Sequence, residues 1–308
     1  MSFGETFRGS PLLLSPKKLI ILCLYSPEHD EAYILDRNAQ LATWVPSLPK
    51  TFSTYWVVGR PDIKYSQLTG SILEVPCLDR DMYKKTILAI EFCMQQIKFD
   101  YILRTNTSTY FFPKKLEKVI WRMNNLAIDF CGFPLGISLK NFRNDEIYCS
   151  GAGIFLSQKA SEYLLNNTNY DLERPDDIKI SQIMRKHFDP YWIPRTDLEL
   201  FPVWRTRAIV RLKHPLNSLK TSDLIRLMHL YAEASHPYPK LKAYLILTVH
   251  ALSIFREKQI TCRQWLVRMS IIIKTAFYIK YSNIVFIGKR INSSDSICFW
   301  RLIKSRDK

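Results

Sequence analysis

Phe99-Asp100-Tyr101-Ile102-Leu103-Arg104-Thr105-Asn106-Thr107-Ser108-Thr109-Tyr110-Phe111-Phe112 passes abruptly from an apolar run into six polar side chains. Tyr101, Ile102 and Leu103 have the aromatic and apolar character of a short buried strand. Arg104 to Thr109 line up hydrogen-bonding groups at its carboxyl end. In open α/β sheets that edge is where ligands bind. An ordinary strand-to-loop junction accounts for the same residues, so the neighbouring segments have to decide.

Upstream, Leu19 to Leu24 is a continuous apolar run, as expected of a strand buried on both faces. Tyr25-Ser26-Pro27-Glu28-His29 ends it with a turn. Ala32 to Trp44 has helical spacing in Ile34, Leu35, Leu41 and Trp44, and Pro46 and Pro49 stop it. Tyr55 to Val58 predicts a second strand ending at Gly59-Arg60-Pro61-Asp62, and Ile72 to Val75 a third. A helix is expected over Asp79 to Gln96. Downstream, Pro113 opens a helix with Leu116, Val119, Ile120 and Met123 on one side. Phe130 to Phe133 is a further strand. Ser150-Gly151-Ala152-Gly153 reads as a glycine-marked turn into a strand, followed by a helix from Gln158 to Leu165. Pro175-Asp176-Asp177 begins another helix.

Strands thus alternate with helices from residue 19 to about 190, which predicts an α/β domain with a mostly parallel central sheet. Two nucleotide-binding classes are excluded: no GxGxxG follows the first strand, and no GxxxxGK[ST] occurs. Seven Cys are scattered singly, with no CxxC and no Cys/His cluster, so neither a zinc site nor a disulfide framework is indicated. The six His are isolated from one another, and no Ser/His/Asp or Cys/His set announces itself. Three polar turns fall at the expected ligand edge: Gly59–Asp62, Arg104–Thr109 and Pro175–Asp177. The Gly151/Gly153 turn allows close backbone approach beside them.

The order of these motifs resembles the Fringe and β-1,3-galactosyltransferase clan of GT-A glycosyltransferases over about residues 17–205. The counterparts are Lys85-Thr86, Arg104 to Tyr110, Ser150-Gly151-Ala152-Gly153 and Pro175-Asp176-Asp177-Ile178. The resemblance implies a GT-A-like fold that moves a sugar from a nucleotide sugar to a hydroxyl of a glycan or lipid-linked acceptor, with inversion. It makes Asp177 the counterpart of the family's general base, with Asp176 beside it. Two carboxylates opening a helix also complement the helix dipole with no chemistry attached. Ser26, Asp62, Arg104, Asn106 and Ser108, with Gly151 and Gly153, are the expected donor contacts. The family's metal-binding Asp-x-Asp falls on Asn106-Thr107-Ser108, which has no carboxylate, whereas a divalent cation wants hard anionic oxygens. No cofactor is therefore expected beyond the donor itself. Either a cation such as Arg104, Arg195, Arg205 or Arg207 meets the donor's charge, or the protein binds a glycan or partner without transferring sugar.

The net charge of +16 is uneven. Residues 1–204 hold 24 basic and 23 acidic side chains, and residues 205–308 hold 20 and 5. The expected organisation is a loose lead-in over 1–16, a transferase domain over 17–205 and a basic helical extension over 206–308. The extension is expected to carry helices over Asp223–Ala234 and Leu241–Phe255 and from Thr261 onward. A solvated subdomain and attachment to an anionic membrane surface both suit that charge. Nucleic-acid binding is a third reading, with no recognition motif to accompany it. No secretory signal and no long apolar run is visible, so a cytoplasmic chain, peripheral to a membrane at most, is expected. Without such a signal the sequons at Asn106, Asn166 and Asn292 read as chance matches.

Overall fold

A computed structural model of the chain describes residues 17–135, 147–168, 170, 175–193, 196–197, 209–211 and 221–233. Residues 1–232 form one compact unit and 233–308 a second. The expected lead-in, the two later C-terminal helices, Arg195, Arg205 and Arg207 lie outside the described residues.

Among the described residues the central sheet has eight strands. In chain order these are β1 (Leu19–Leu24), β2 (Phe52–Gly59), β3 (Gln67–Thr69), β4 (Ile72–Val75), β5 (Tyr101–Asn106), β7 (Phe130–Leu135), β8 (Tyr148–Ser157) and β9 (Tyr191–Trp192). Across the sheet they run β3-β4-β2-β1-β5-β8-β7-β9. β1 pairs parallel with both β2 and β5, β2 with β4, and β7 with β9. β3 and β8 run against their neighbours. The expected α/β class with a mostly parallel sheet is what the chain adopts. Three short strands, β6 (Thr109–Phe111), β10 (Thr196–Asp197) and β11 (Ile209–Arg211), form a second small sheet in the order β10-β11-β6.

The helices are α1 (Glu31–Leu41), α2 (Met82–Gln96), α3 (Pro113–Asn125), α4 (Gln158–Asn166), α5 (Asp176–Met184) and α6 (Thr221–Glu233). β1 is buried along its whole length because it has a layer on either side. Ile20, Leu22 and Leu24 share a core with Ile87, Ile90 and Cys93 of α2, Leu164 of α4 and Ile180, Ile183 and Met184 of α5. Cys23 and Tyr25 point the other way, into a cluster with Trp56, Val58, Tyr33 and Leu41. The two-residue period of a strand splits the run between the two layers.

One helix buries a side that its apolar spacing does not mark, and one expectation fails. Ile34 does not face inward: it is 39% exposed, and α1 buries Asp36, Ala39 and Gln40 instead. The reason is the neighbour α1 meets. Gln40 donates through Nε2 to the carbonyls of Thr107 and Thr109 at 2.9 and 3.2 Å, and its Oε1 accepts from the Trp56 indole at 2.9 Å. Carbonyls of a buried turn need donors, and an apolar helix face has none. Nor is Ser150–Gly153 a turn. It lies inside β8, which pairs with β5 over Ile154–Ser157 and with β7 over Ile154–Leu156 and again at Tyr148 and Cys149, the register shifting across the glycines between.

Candidate active site

A cleft of about 540 Å³ opens at the carboxyl ends of β1 and β5, with Leu24, Asp36, Met82, Arg104, Asn106 to Ser108, Gly151, Asp176, Asp177 and Thr221 among its walls. β5 is longer than its apolar residues suggest. Arg104, Thr105 and Asn106 stay in register with Leu22, Cys23 and Leu24 of β1, so only Thr107 and Ser108 form the turn. Because β8 runs antiparallel to β5, its amino-terminal half reaches that same edge. α5 then starts beside it.

Three segments distant in sequence are knitted together there. The Arg104 side chain is 4% exposed. One of its terminal nitrogens donates to the Gly151 carbonyl at 2.6 Å, and the other is paired with Asp176. Asp177 is oriented by two backbone donors, the N–H of Gly151 and that of Ile178, each at 3.0 Å. Below it the Asp177 carbonyl accepts from Ser181 Oγ at 2.7 Å, and Ser181 Oγ accepts the Cys149 N–H at 2.8 Å. A Cβ on Gly151 would collide with the Arg104 guanidinium and come to ordinary contact with Asp177 Oδ2. Glycine is therefore required at this point by crowding rather than by backbone twist.

The turn itself is closed on its own atoms. Asn106 Oδ1 accepts from Ser108 Oγ at 2.9 Å and Thr109 Oγ1 at 2.8 Å, while Asn106 Nδ2 donates to the Gly151 carbonyl at 3.3 Å. Asn106 Oδ1, the one side-chain carbonyl of the triplet, is thus already taken twice, and neither Thr107 nor Ser108 brings a negative charge. These residues do not fit a divalent cation. Among the described residues no group of three or more His, Cys, Asp or Glu has the arrangement to hold a metal.

Of the residues singled out in the sequence, Arg104, Asn106, Ser108, Gly151, Asp176 and Asp177 meet in this cleft. Gly153 lies deeper in β8, away from the walls. Asp62 is elsewhere on the surface, clamped by Arg60 at 2.7 and 2.9 Å, which holds its carboxyl below the usual range. Ser26 is buried under the sheet edge. It accepts from Lys85 Nζ at 2.9 Å and donates to the Asp79 carbonyl at 3.2 Å. Lys85 has no exposed surface and also donates to Asp79 Oδ1 at 2.6 Å and the Tyr25 carbonyl at 3.1 Å. Burial lowers its pKa, and Asp79 partly restores it.

Asp36 and Gln40 of α1 escape the sequence reading. Asp36 lines the cleft yet is 6% exposed; burial, reinforced by Asp30, pushes its carboxyl up to about 7, against a backbone hydrogen bond from Ser222 of α6. The available signal was polar residues four apart on a helix whose apolar residues make a poor stripe.

No protein-family model matches the sequence, and no curated protein sequence matches it. Among solved structures, the chain is similar to a glycosyltransferase involved in the glycosylation of the major capsid of PBCV-1, with 12% identity and a TM-score of 0.44 over 68% of this chain and 99% of that one. It is also similar to residues 1–349 of S. aureus TarS, with 13% identity and a TM-score of 0.40 over 84% of this chain and 80% of that one. Against the longer S. aureus TarS structure the identity is 12% and the TM-score 0.40, and 49% of that chain is covered.

Proposed function

We propose that the chain is a GT-A-type glycosyltransferase that moves a sugar from a nucleotide-sugar donor to a hydroxyl of a glycan or lipid-linked acceptor, with inversion and without a metal. The observation that carries this reading is the convergence of Arg104–Ser108, Gly151 and Asp176–Asp177 on one cleft at the carboxyl edge of the sheet. Those are the segments whose motifs resemble the family.

In this reaction the acceptor oxygen attacks the anomeric carbon as its proton passes to a carboxylate. The bond from that carbon to the donor phosphate breaks, and the electron pair leaves with the nucleotide. Asp177 suits the role of proton acceptor, because both its oxygens are fixed by backbone N–H groups and each retains a lone pair for an incoming hydroxyl. The departing phosphate needs positive charge. Arg104 supplies it by exchanging its Asp176 partner for the phosphate, because the two anions compete for one guanidinium.

The same ion pair favours a second reading. If Arg104 and Asp176 are permanently engaged, the cleft binds a glycan without catalysing transfer. Turnover of a panel of nucleotide sugars, with Mn²⁺ and with EDTA, separates the two. Activity that persists in EDTA supports the proposal, and no turnover of any donor with retained glycan binding supports the alternative. If Asp177→Asn and Asp176→Asn both keep full activity, the base assignment is wrong.

A further inference from the structure

The solvent side of α3 carries a feature that neither the cleft nor the core explains. Leu116, Ile120 and Met123 turn inward and are buried. The outward positions hold Lys114, Lys115, Glu117, Lys118, Trp121, Arg122 and Asn125, all exposed. Trp121 is 58% exposed on the outermost ridge of the helix, seven residues from Lys114 and three from Lys118. Leu126, at the end of the same helix, is also 58% exposed. What sets this indole apart from the other exposed apolar side chains, such as Tyr65 and Leu78, is the ring of cations on the same helix.

Charge decides what that partner is. Four basic side chains and one acidic side chain surround the indole. Lys115 is drawn over the Phe112 ring and Arg122 over the Tyr191 ring, which leaves Lys114 and Lys118 as the outermost cations beside Trp121. An acidic protein groove would suit the lysines but asks for a larger apolar ridge than one Trp and one Leu. A bilayer surface asks for what is present: an amphipathic aromatic at headgroup depth and cations at the phosphates.

We infer that the outer face of α3, centred on Trp121, Lys114 and Lys118, is a docking surface for an anionic lipid bilayer. The indole enters the headgroup layer while the lysines meet lipid phosphates, and the helix lies parallel to the membrane. Among the described residues no helix is long and apolar enough to cross a membrane. The proposal uses none of the basic residues of the C-terminal part, and it stands whether or not the cleft transfers sugar.

The test is sedimentation of the full chain with vesicles of phosphatidylcholine alone and of phosphatidylcholine with phosphatidylglycerol. Trp121→Ala is expected to weaken partitioning onto the anionic vesicles about tenfold. Lys114→Glu/Lys118→Glu is expected to weaken it about several hundredfold, since the two reversals change the charge by four units and each unit near the surface is worth about fivefold. The charge-matched pair Lys98→Glu/Lys186→Glu, exposed on other parts of the surface, is expected to change it less than about threefold. Brominated lipid is expected to quench the wild-type fluorescence more than that of Trp121→Phe. The idea is overturned if Trp121→Ala partitions like wild type, if both charge pairs act equally, or if the face captures RNA while ignoring vesicles. All the substituted side chains are exposed, so unchanged circular dichroism is expected throughout.

Discussion

The Asp177 carboxylate accepts the Gly151 N–H at 3.0 Å, so the first turn of α5 is tied to the middle of a strand 26 residues earlier in the chain. That bond fixes where one Asp177 oxygen points. Asp177→Asn keeps an acceptor for Gly151 but removes the proton acceptor. Transfer is expected to fall about 10²- to 10⁴-fold, far more than the loss of one acceptor for a backbone N–H, worth about 1 kcal/mol, takes from the folded fraction. A variant that loses activity only in proportion to lost folded protein would show that the carboxylate serves as a cap.

Gly151→Ala acts on the same contact from the other side. The new methyl group displaces the Arg104 guanidinium from the Gly151 carbonyl and Asp176. A loss of about 1–3 kcal/mol in urea denaturation is expected, together with lower activity. Equal stability would mean that Arg104 has room to move, and that the close packing of the cleft floor is not a constraint.

Removing the cation leaves Asp176 without its partner and the Gly151 carbonyl without its donor from Arg104. Arg104→Met is expected to cost about 2–4 kcal/mol, because a carboxylate only 15% exposed is stranded. Adding Asp176→Asn should return part of that loss. A double-mutant cycle on urea midpoints checks this, and strict additivity would show that the two side chains are not energetically coupled.

The deeper pair is more severe. Lys85 directs its Nζ at Asp79 Oδ1, Ser26 Oγ and the Tyr25 carbonyl with no water access, and Asp79 Oδ1 also accepts the Gly59 N–H at 2.8 Å. Lys85→Met is expected to cost about 3–5 kcal/mol. A loss under about 1 kcal/mol by urea denaturation would contradict the burial of this ion pair.

Much of the sheet was legible because its strands are apolar runs. β1, β2, β4 and β5 owe their burial to composition, and α2, α3 and α5 keep a helical period. What escaped depends on partners far away in the chain. β3 and β6 are three residues long and exist through pairing with β4 and β11. Glycines inside β8 look like turn formers until Arg104 is seen to need the space over Gly151. Asp62 sits after a strand, as a ligand residue would, but Arg60 two positions away captures it. α1 buries Asp36 and Gln40 because a buried polar turn lies beside the apolar sheet residues that Tyr33 and Leu41 meet.

Asp36 gives the clearest dependence on pH. Burial and the nearby Asp30 charge raise its carboxyl from an ordinary 3.8 to about 7, and the Ser222 backbone bond only partly opposes this. The folded state therefore holds a proton there that the unfolded chain releases. Stability from this group is complete below about pH 4 and is lost as the pH rises through 7. Asp36→Asn retains an oxygen for the Ser222 N–H and carries no charge. It is expected to stabilise the protein by about 2 kcal/mol at pH 8 and to change little at pH 4. Urea midpoints at the two pH values measure this difference. If the variant is weaker than the wild type at pH 8, the ionised carboxylate is what holds the start of α6, and burial does not dominate its titration.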